Sequence, residues 1–194
     1  MPRSSPRRLD VRDRELIGGV ERLQVTLHDA DPTWRDVFEE HRRRLRQALA
    51  DRAVLIEHIG STSVAGLAAK PIVDIVVAVA DIAAEEDYLP ALVAAGYVLR
   101  VREPGHRLVR TPERDVHVHV YAAGDAAVEA YLLFRDRLRA DAADRSLYES
   151  TKRALLDRAW DDMNAYADAK TAVIRGILER ARAQRDSEAG EDGP

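Results

Sequence analysis

Residues 55–79 carry a pattern of apolar and polar positions that predicts two strands joined by a turn of small residues. The first strand, residues 55–59, is short and mostly apolar, as a buried strand would be. Gly60-Ser61-Thr62-Ser63 follows, and an Ala-rich segment up to Lys70-Pro71 predicts a short turn of helix. The second strand, residues 72–79, contains only Ile, Val and Ala apart from one acid, Asp74. Burying a carboxylate there without a partner is strongly unfavourable, so we expect Asp74 at a cleft or beside a cation.

The same reasoning predicts the other elements. Asp31-Pro32 predicts a helix start, with aspartate as the cap and proline in the first helical position, and apolar residues recur at helical spacing to Leu49. We then expect a helix that begins at about Pro90 and ends at Gly96. Alternation predicts three strands and helical spacing predicts three helices: strands 97–102, 106–111 and 116–121, then helices 126–140, 142–159 and 163–183.

This order of elements predicts an α+β fold, with a mixed β-sheet flanked by helices and a helical C-terminal half. The length of 194 residues fits a single domain, which we place at residues 23–183. Residues 1–22 combine proline, serine and mixed charge, and we expect them to form a flexible N-terminal arm. The polar residues 184–194 are expected to be a disordered tail.

Composition narrows the function classes. The net charge of −4 gives no general reason to expect nucleic-acid or membrane binding, and no apolar run approaches the ~20 residues that span a bilayer. The chain has no cysteine, which excludes disulfides, thiolate catalysis and cysteine zinc sites and fits a cytoplasmic protein. Most cationic residues are arginines, and the sequence contains three lysines: Lys70, Lys152 and Lys170.

The Gly-Ser turn is a candidate phosphate site. A glycine between a strand and a helical turn lets backbone N–H groups point at an anion, and Ser61, Thr62 and Ser63 add hydroxyl donors. Lys70 is a compact cation that can reach phosphate oxygens. The spacing is not that of a P-loop, and a Gly-Ser turn that only caps a helix has the same sequence.

Histidines on the VHVHVY strand are the second candidate chemistry. His117 and His119 share one strand face, and two histidines so placed can bind a metal, move protons or contact phosphate. Asp74 is a candidate ligand for a Mg²⁺ that bridges protein and phosphate, unless it pairs with Lys70, Arg107 or a histidine. His58 is a further candidate for the same cleft. Arg135, in the helical segment YLLFRDRLR, is either salt-linked surface or a phosphate clamp.

At residues 57–75, EHIGSTSVAGLAAKPIVDI, the sequence closely resembles the signature of GrpB family proteins. In that family the turn usually reads Gly-Ser-Thr-Ser-Val-Pro-Gly-Leu, followed by Ala-Lys-Pro and a strand that bears an aspartate. The resemblance extends over about residues 25–178, with further matches at Asp31-Pro32-x-Trp34, Gly96-Tyr97, His117-Val118-His119-Val120 and Phe134-Arg135-Asp136. Ala65 stands where the family usually has proline, which should alter turn rigidity rather than chemistry.

The resemblance implies the nucleotidyltransferase superfamily fold, which binds a nucleoside triphosphate and one or two Mg²⁺ ions. By this resemblance Gly60 and Ser61 would hold the triphosphate, and Asp74 would be the first metal carboxylate, with His119 beside it. Val76 occupies the position of the usual second carboxylate. The strand that would supply a third acid offers His117 and His119 instead. Fold alone does not give activity.

Three hypotheses remain open at this stage. In the first, the protein binds a small-molecule nucleotide and Mg²⁺ and transfers a nucleotidyl group to a small acceptor, with Asp74, His119 and His117 as catalytic residues. In the second, it is a catalytically degenerate nucleotide-binding, anion-binding or accessory protein on the same fold. In the third, His58, His117, His119 and Asp74 form a transition-metal site for hydrolysis.

Overall fold

A computed structural model describes residues 10–19, 26–156 and 169–191. The described residues form six strands: β1 (Glu15–Leu16), β2 (Ala53–Ile59), β3 (Val73–Val79), β4 (Val98–Glu103), β5 (His106–Arg110) and β6 (Val116–Ala122). They also form five α-helices: α1 (Thr33–Leu49), α2 (Glu85–Ala94), α3 (Ala126–Ala140), α4 (Ala142–Leu156) and α5 (Thr171–Glu191). The predicted α+β fold with a helical C-terminal half is confirmed.

All six strands belong to one mixed sheet in the order β1-β4-β5-β6-β3-β2. β3 and β6 are parallel, and the other neighbouring pairs are antiparallel. In this register Asp74 of β3 lies opposite Ile59 of β2 on one side and His117 of β6 on the other. The sheet therefore brings β2, the acid-bearing strand β3 and the histidine-bearing strand β6 side by side.

Alternation along the central strands gives the sheet two different faces. One face packs against α1 and α2, and it carries the valines and isoleucine at alternate positions of the two central strands: Val73, Ile75, Val77, Val79, Val116, Val118 and Val120. The opposite face packs against α3 through Ile59, Val76, Tyr121 and Val128. Asp74, His117 and His119 alternate with the first set and therefore belong to the face toward α3.

The first helix forms as its sequence predicts. The Asp31 carboxylate accepts hydrogen bonds from the Thr33 N–H at 2.8 Å and the Thr33 hydroxyl at 2.7 Å, which caps the helix start. Its buried residues recur every three or four positions and face the sheet: Trp34, Phe38, His41, Leu45 and Leu49. Buried His41 is paired with the Tyr97 hydroxyl at 2.7 Å, so the one polar side chain on this face has a partner.

The helices α3, α4 and α5 are tied to the loop that follows the Gly-Ser turn. Leu138 of α3, Tyr148 of α4 and Ile177 of α5 pack in one buried cluster with Val64 and Leu67 of that loop. This packing fixes α4 and α5 beside the turn, although both are distant from it in sequence.

The prediction for the start of α2 is wrong. The helix begins at Glu85 rather than at about Pro90, so the proline lies inside it. Three acids in the first turn favour this start through the helix dipole. Glu85 itself is buried and accepts hydrogen bonds from Arg102 and Arg107 at 2.6–3.0 Å. These long-range contacts outweigh the single backbone hydrogen bond that Pro90 removes.

Both predicted chain ends differ from the structure within the described residues. In the predicted arm, Glu15–Leu16 pairs with β4, and Asp10 accepts a hydrogen bond from buried Arg107 at 2.6 Å. Residues 1–9 and 20–25, which include the predicted start of the domain, lie outside the described residues. The predicted tail begins at residue 184, but α5 continues to Glu191, with Gln184 donating to Glu188 at 2.8 Å.

Candidate functional site

The Gly-Ser turn begins where β2 ends, and its first residue has a backbone conformation that requires glycine. Gly60 has φ +70° and ψ −175°, a region that other residues avoid. A Cβ atom at this position would lie 2.7 Å from Oδ2 of Asp74. The glycine therefore serves two purposes, since it allows the turn and leaves room for the carboxylate on β3.

The three hydroxyls of the turn have different environments. The Ser63 hydroxyl donates to the Gly60 carbonyl at 2.6 Å, and the Thr62 hydroxyl donates to the Ile72 carbonyl at 3.3 Å. Both side chains are buried and hold the turn in shape. The Ser61 hydroxyl instead accepts a hydrogen bond from Nζ of Lys152 at 3.0 Å. Of the three, Ser61 is the hydroxyl placed beside a cation.

The three lysines of the sequence lie near one another beside this turn, and Lys152 makes the direct contact with it. Lys152 of α4 is 2% exposed, donates to the Ala68 carbonyl, and lies 4.8 Å from the centre of the Tyr148 ring. Burial, followed by repulsion from Lys170, lowers the pKa of Lys152 to about 7. Burial, again followed by repulsion from Lys170, lowers the pKa of Lys70 to about 8. We call Lys70, Lys152 and Lys170 the lysine cluster.

Sequence reasoning found Lys70 but missed Lys152 and Lys170. Both lie in the helical half, more than 80 residues from the turn in sequence, and no local pattern connects them to it. The sequence did contain one signal for these lysines: the chain is rich in arginine and has just three lysines. Lysine and arginine are not interchangeable at a site that binds a compact anion or needs a shifted pKa.

Asp74, His117 and His119 form a second group, which we call the Asp-His cluster. Nε2 of His119 lies 3.3 Å from Oδ1 of Asp74, and Nδ1 of His117 lies 3.7 Å from the same oxygen. One potential ligand atom from each residue lies within 4.8 Å of the other two. The side chains are 18–30% exposed, so the cluster borders solvent.

Charges around the cluster favour an ionised carboxylate. Burial acts to raise the pKa of Asp74, but the His119 hydrogen bond and the nearby His117 and His58 outweigh it, so that the pKa is lowered. Burial lowers the pKa of His117, and the Asp74 charge opposes this effect. The cluster thus combines an oxygen whose anionic form is favoured with an imidazole whose neutral form burial favours, and these are the forms that bind a metal.

A chain of hydrogen bonds extends the cluster to two residues that sequence reasoning missed, His106 and Glu103. Nε2 of His106 lies 3.2 Å from Nδ1 of His119, and Nδ1 of His106 lies 2.6 Å from the Glu103 carboxylate. The rings of His106 and His119 are stacked, with centres 5.3 Å apart. The antiparallel β5–β6 pair places both histidines on one face.

Two predicted site residues are separated from these clusters. His58 lies on the face of β2 that packs against α1, where its ring stacks on Phe38 at 4.7 Å and its Nε2 pairs with the Thr62 hydroxyl. Burial lowers the pKa of His58 to about 4. Arg135 is buried and donates to the carboxylates of Glu57 and Asp136 and to the His58 carbonyl at 2.7–3.0 Å. It connects α3 to β2 through Glu57 and the His58 carbonyl.

Neighbouring Arg139 supports the turn itself. Its guanidinium donates twice to the Ser63 carbonyl, at 3.1 and 2.9 Å. Arg107, considered as a partner for Asp74, instead pairs with Asp10 and Glu85 at 2.6 Å. Arg139 therefore holds the turn in place, whereas Arg107 is tied to residues outside the site.

The donor set of the Asp-His cluster is a poor match for Mg²⁺, which the resemblance implies. Magnesium prefers carboxylate, phosphate and water oxygens in octahedral geometry, whereas this cluster offers two imidazole nitrogens and one carboxylate. Val76, at the usual second-acid position, is fully buried in the apolar layer beneath α3.

The fold and the site define a class: an α+β protein with an open mixed sheet, in which a Gly-Ser turn meets a lysine cluster and an Asp-His cluster. The sequence profile described as "GrpB protein" matches residues 24–180. The chain belongs to the GrpB family. No helix in residues 10–19, 26–156 and 169–191 is long and apolar enough to cross a membrane.

Relatives of known sequence or structure agree with this assignment. A UPF0157 protein of Streptomyces coelicolor is 66% identical, over 94% of this chain and 97% of that protein. The crystal structure of the conserved protein GrpB from Enterococcus faecalis is similar with a TM-score of 0.73 and 32% identity, covering 82% of this chain and 99% of that one. A protein named dephospho-CoA kinase from Mycolicibacterium paratuberculosis is 30% identical over 87% of this chain, which covers 48% of that longer protein.

Proposed function

We propose that the protein binds a nucleoside triphosphate, with the phosphates on the Gly60–Ser61 turn and the lysine cluster, and transfers a nucleotidyl group to a small acceptor. The observation that carries this proposal is the grouping of three lysines beside this turn, with Lys152 in contact with Ser61. The nucleoside part of the ligand, the transfer reaction and the nucleotidyltransferase type of fold come from the family resemblance and are proposed with it.

Electrostatics support a polyanionic ligand. Burial first and repulsion from Lys170 second lower the pKa values of both Lys70 and Lys152. A ligand that carries several negative charges would relieve the repulsion among the three ammonium groups. The Ser61 hydroxyl and the backbone N–H groups of the turn would add directional donors. A triphosphate matches this arrangement better than a single carboxylate, because its charges are spread over three linked groups.

Linked protonation gives the proposal a distinctive signature. Since the pKa of Lys152 is about 7 and that of Lys70 about 8, each is partly deprotonated in the free protein near pH 8. A bound triphosphate favours the charged form and raises both pKa values. Binding at pH 8 should therefore take up protons, which calorimetry detects as a heat that depends on the ionisation enthalpy of the buffer.

The test is titration calorimetry with nucleoside triphosphates and with inorganic tripolyphosphate, each with and without a divalent metal. Lys152→Met should weaken binding about 10- to 100-fold, because one charge-assisted hydrogen bond contributes roughly 1.5–3 kcal/mol. Arg153→Met is the matched control, since Arg153 is the next residue, is half exposed, and pairs with Glu149 and Asp29 instead. No heat and no thermal shift with any triphosphate would refute the proposal.

A second candidate is a nucleotide-binding or accessory protein that does not catalyse transfer. Val76 favours this candidate, because it leaves the strand with a single acid and its side chain is buried. The two candidates differ in turnover: transfer releases pyrophosphate when a suitable acceptor is present, whereas simple binding does not. They also differ for Asp74→Ala, which should leave ligand binding largely intact in the accessory protein and weaken metal-dependent binding about a hundredfold in the enzyme.

Magnesium stays a prediction of the resemblance. It is tested by the same titrations, in which Mg²⁺ either strengthens triphosphate binding or leaves it unchanged.

A further inference from the structure

We infer that Asp74, His117 and His119 form a site for a single transition-metal dication with high affinity for imidazole, such as Zn²⁺, with Glu103 and His106 as positioning residues. This inference goes beyond the proposed function, because it concerns the metal and needs no bound nucleotide. It differs from the third hypothesis above in its donors, since His58 lies on the other face of the sheet, and from the resemblance in its metal.

The first argument is the spacing of the donor atoms. Ligands bound tetrahedrally to zinc at about 2.0–2.1 Å lie about 3.3–3.4 Å from one another. The two imidazole nitrogens lie 3.3 and 3.7 Å from Oδ1 of Asp74. The three ligand atoms all lie within 4.8 Å of one another, so the two imidazoles would have to turn toward each other to reach these spacings. All three ligands project from the adjacent strands β3 and β6, which provide a rigid frame.

The second argument is the direction of the hydrogen bonds. The Glu103 carboxylate accepts from Nδ1 of His106, so the Nε2 of a neutral His106 is an acceptor. It then takes the proton on Nδ1 of His119, which leaves a lone pair on Nε2 of His119. When His119 carries this one proton, the lone pair faces Oδ1 of Asp74 at 3.3 Å, so two acceptors point at the same space, and the hydrogen bond between them requires a second proton on His119.

A positive charge between these acceptors removes the conflict, and the position of His117 favours a metal over a proton. A proton shared between His119 and Asp74 satisfies one nitrogen and one oxygen. Nδ1 of His117, however, approaches the same carboxylate oxygen from a second direction. A metal ion accepts electron pairs from all three atoms at once. The partial exposure of the cluster leaves room for water or a phosphate oxygen as a fourth ligand.

The third argument is the outer shell. Metal-binding histidines usually donate their other N–H to a carboxylate, a carbonyl or water, which fixes the tautomer and ring orientation. Here His106 stands between His119 and the Glu103 carboxylate and transmits that constraint through one additional ring. The stacking of His106 on His119 further restricts the ring.

The experiment measures metal binding to the full chain after chelator treatment, without nucleotide. Zn²⁺, Mn²⁺ and Mg²⁺ are titrated separately. We expect one equivalent of Zn²⁺ to bind most tightly, Mn²⁺ to bind more weakly, and Mg²⁺ to bind at least a hundredfold more weakly than Zn²⁺.

His117→Gln should abolish stoichiometric Zn²⁺ binding. His28→Gln is the matched control, because His28 is an exposed histidine outside the cluster, and this variant should bind like the unmodified chain. Glu103→Gln should bind Zn²⁺ about 10- to 100-fold more weakly, as outer-shell changes do.

Three results would overturn the inference: no stoichiometric Zn²⁺ binding, equal Zn²⁺ binding by the His117→Gln and His28→Gln variants, or Mg²⁺ binding as tight as that of Zn²⁺. Because a variant can lose binding by unfolding, Co²⁺ is also added to the unmodified chain. Intense visible absorption from four- or five-coordinate Co²⁺ is expected, and the weak spectrum of a hexa-aqua ion would count against the site.

Zn²⁺ binding without nucleotide binding would refute only the proposed function. Nucleotide binding without Zn²⁺ binding would refute only this inference.

Discussion

Replacing Gly60 by alanine tests whether the turn and the acid-bearing strand are built to fit each other. Alanine in the backbone conformation of Gly60 is expected to cost about 1–3 kcal/mol of folding free energy. The added Cβ would also lie 2.7 Å from Oδ2 of Asp74, and relieving such an overlap in a packed region costs a further 1–3 kcal/mol, roughly. We therefore expect Gly60→Ala to lower the free energy of unfolding by about 4 kcal/mol.

Gly66→Ala separates the two contributions. Gly66 also has a positive φ, of +77°, but no atom lies within 4 Å of the Cβ position, so this variant should lose about 1–2 kcal/mol through backbone strain alone. Urea unfolding followed by circular dichroism measures both variants, and the difference of about 2 kcal/mol corresponds to roughly 4–8 °C in melting temperature.

The Asp74→Ala background provides the internal check, because it removes the carboxylate that the new methyl group meets. Gly60→Ala should be about 1–2 kcal/mol less destabilising there, as expected for residues in contact. Equal losses for Gly60→Ala and Gly66→Ala, or no difference between the two backgrounds, would refute the reasoning.

Three further predictions concern the surrounding structure. Burial lowers the pKa of His58 to about 4, so between about pH 6.5 and 4 the unfolded chain binds a proton that the folded chain does not. Unfolding curves at pH 7, 5.5 and 4.5 should therefore show a stability loss of about 2 kcal/mol from this group, and His58→Gln should reduce that loss. Glu85→Gln should cost about 3 kcal/mol at pH 7 by leaving Arg107, which is 1% exposed, short of an ion partner. Burial acts to raise the pKa of Glu85, but hydrogen bonds from two arginines lower it overall. The unmodified protein should therefore lose stability as the pH falls below about 4.5, and Glu85→Gln should lose less over the same pH range when unfolding is measured at each pH. Leu45→Ala should lower the free energy of unfolding in urea by about 2–5 kcal/mol, because Leu45 is fully buried. Val54→Ala, at a residue that is 64% exposed, should change it by no more than about 0.5 kcal/mol. Equal effects of the two variants would show that the core is misassigned.

Local patterns predicted most of the elements well. The helix Ala126–Ala140 has the predicted ends, because the Asp125 cap and the apolar spacing are both encoded within a few residues. The VHVHVY segment forms β6 as predicted, since strict alternation is itself the signal for a half-buried strand. The start of α2 could not be read in this way, because Glu85 is fixed by arginines from two strands that come later in the sequence.

The candidate site was only partly predictable for the same reason. Asp74, His117 and His119 were found because each stands out within its own strand, and the parallel pairing of β3 with β6 brings them together. His106 was missed because its role depends on the neighbour across the β5–β6 pair.

Taken by itself, the sequence determined the order of strands and helices, the Gly-Ser turn and the acid-bearing strand, because periodicity, caps and turn residues act over a few positions. Only the tertiary structure decided which polar groups meet. It turned the hydroxyls of Thr62 and Ser63 inward and His58 toward α1, and it brought Lys152 and Lys170 from the helical half to the turn. The physical reason is that helix packing around Val64 and Leu67 fixes where α4 and α5 lie, and such packing depends on contacts between residues far apart in the chain.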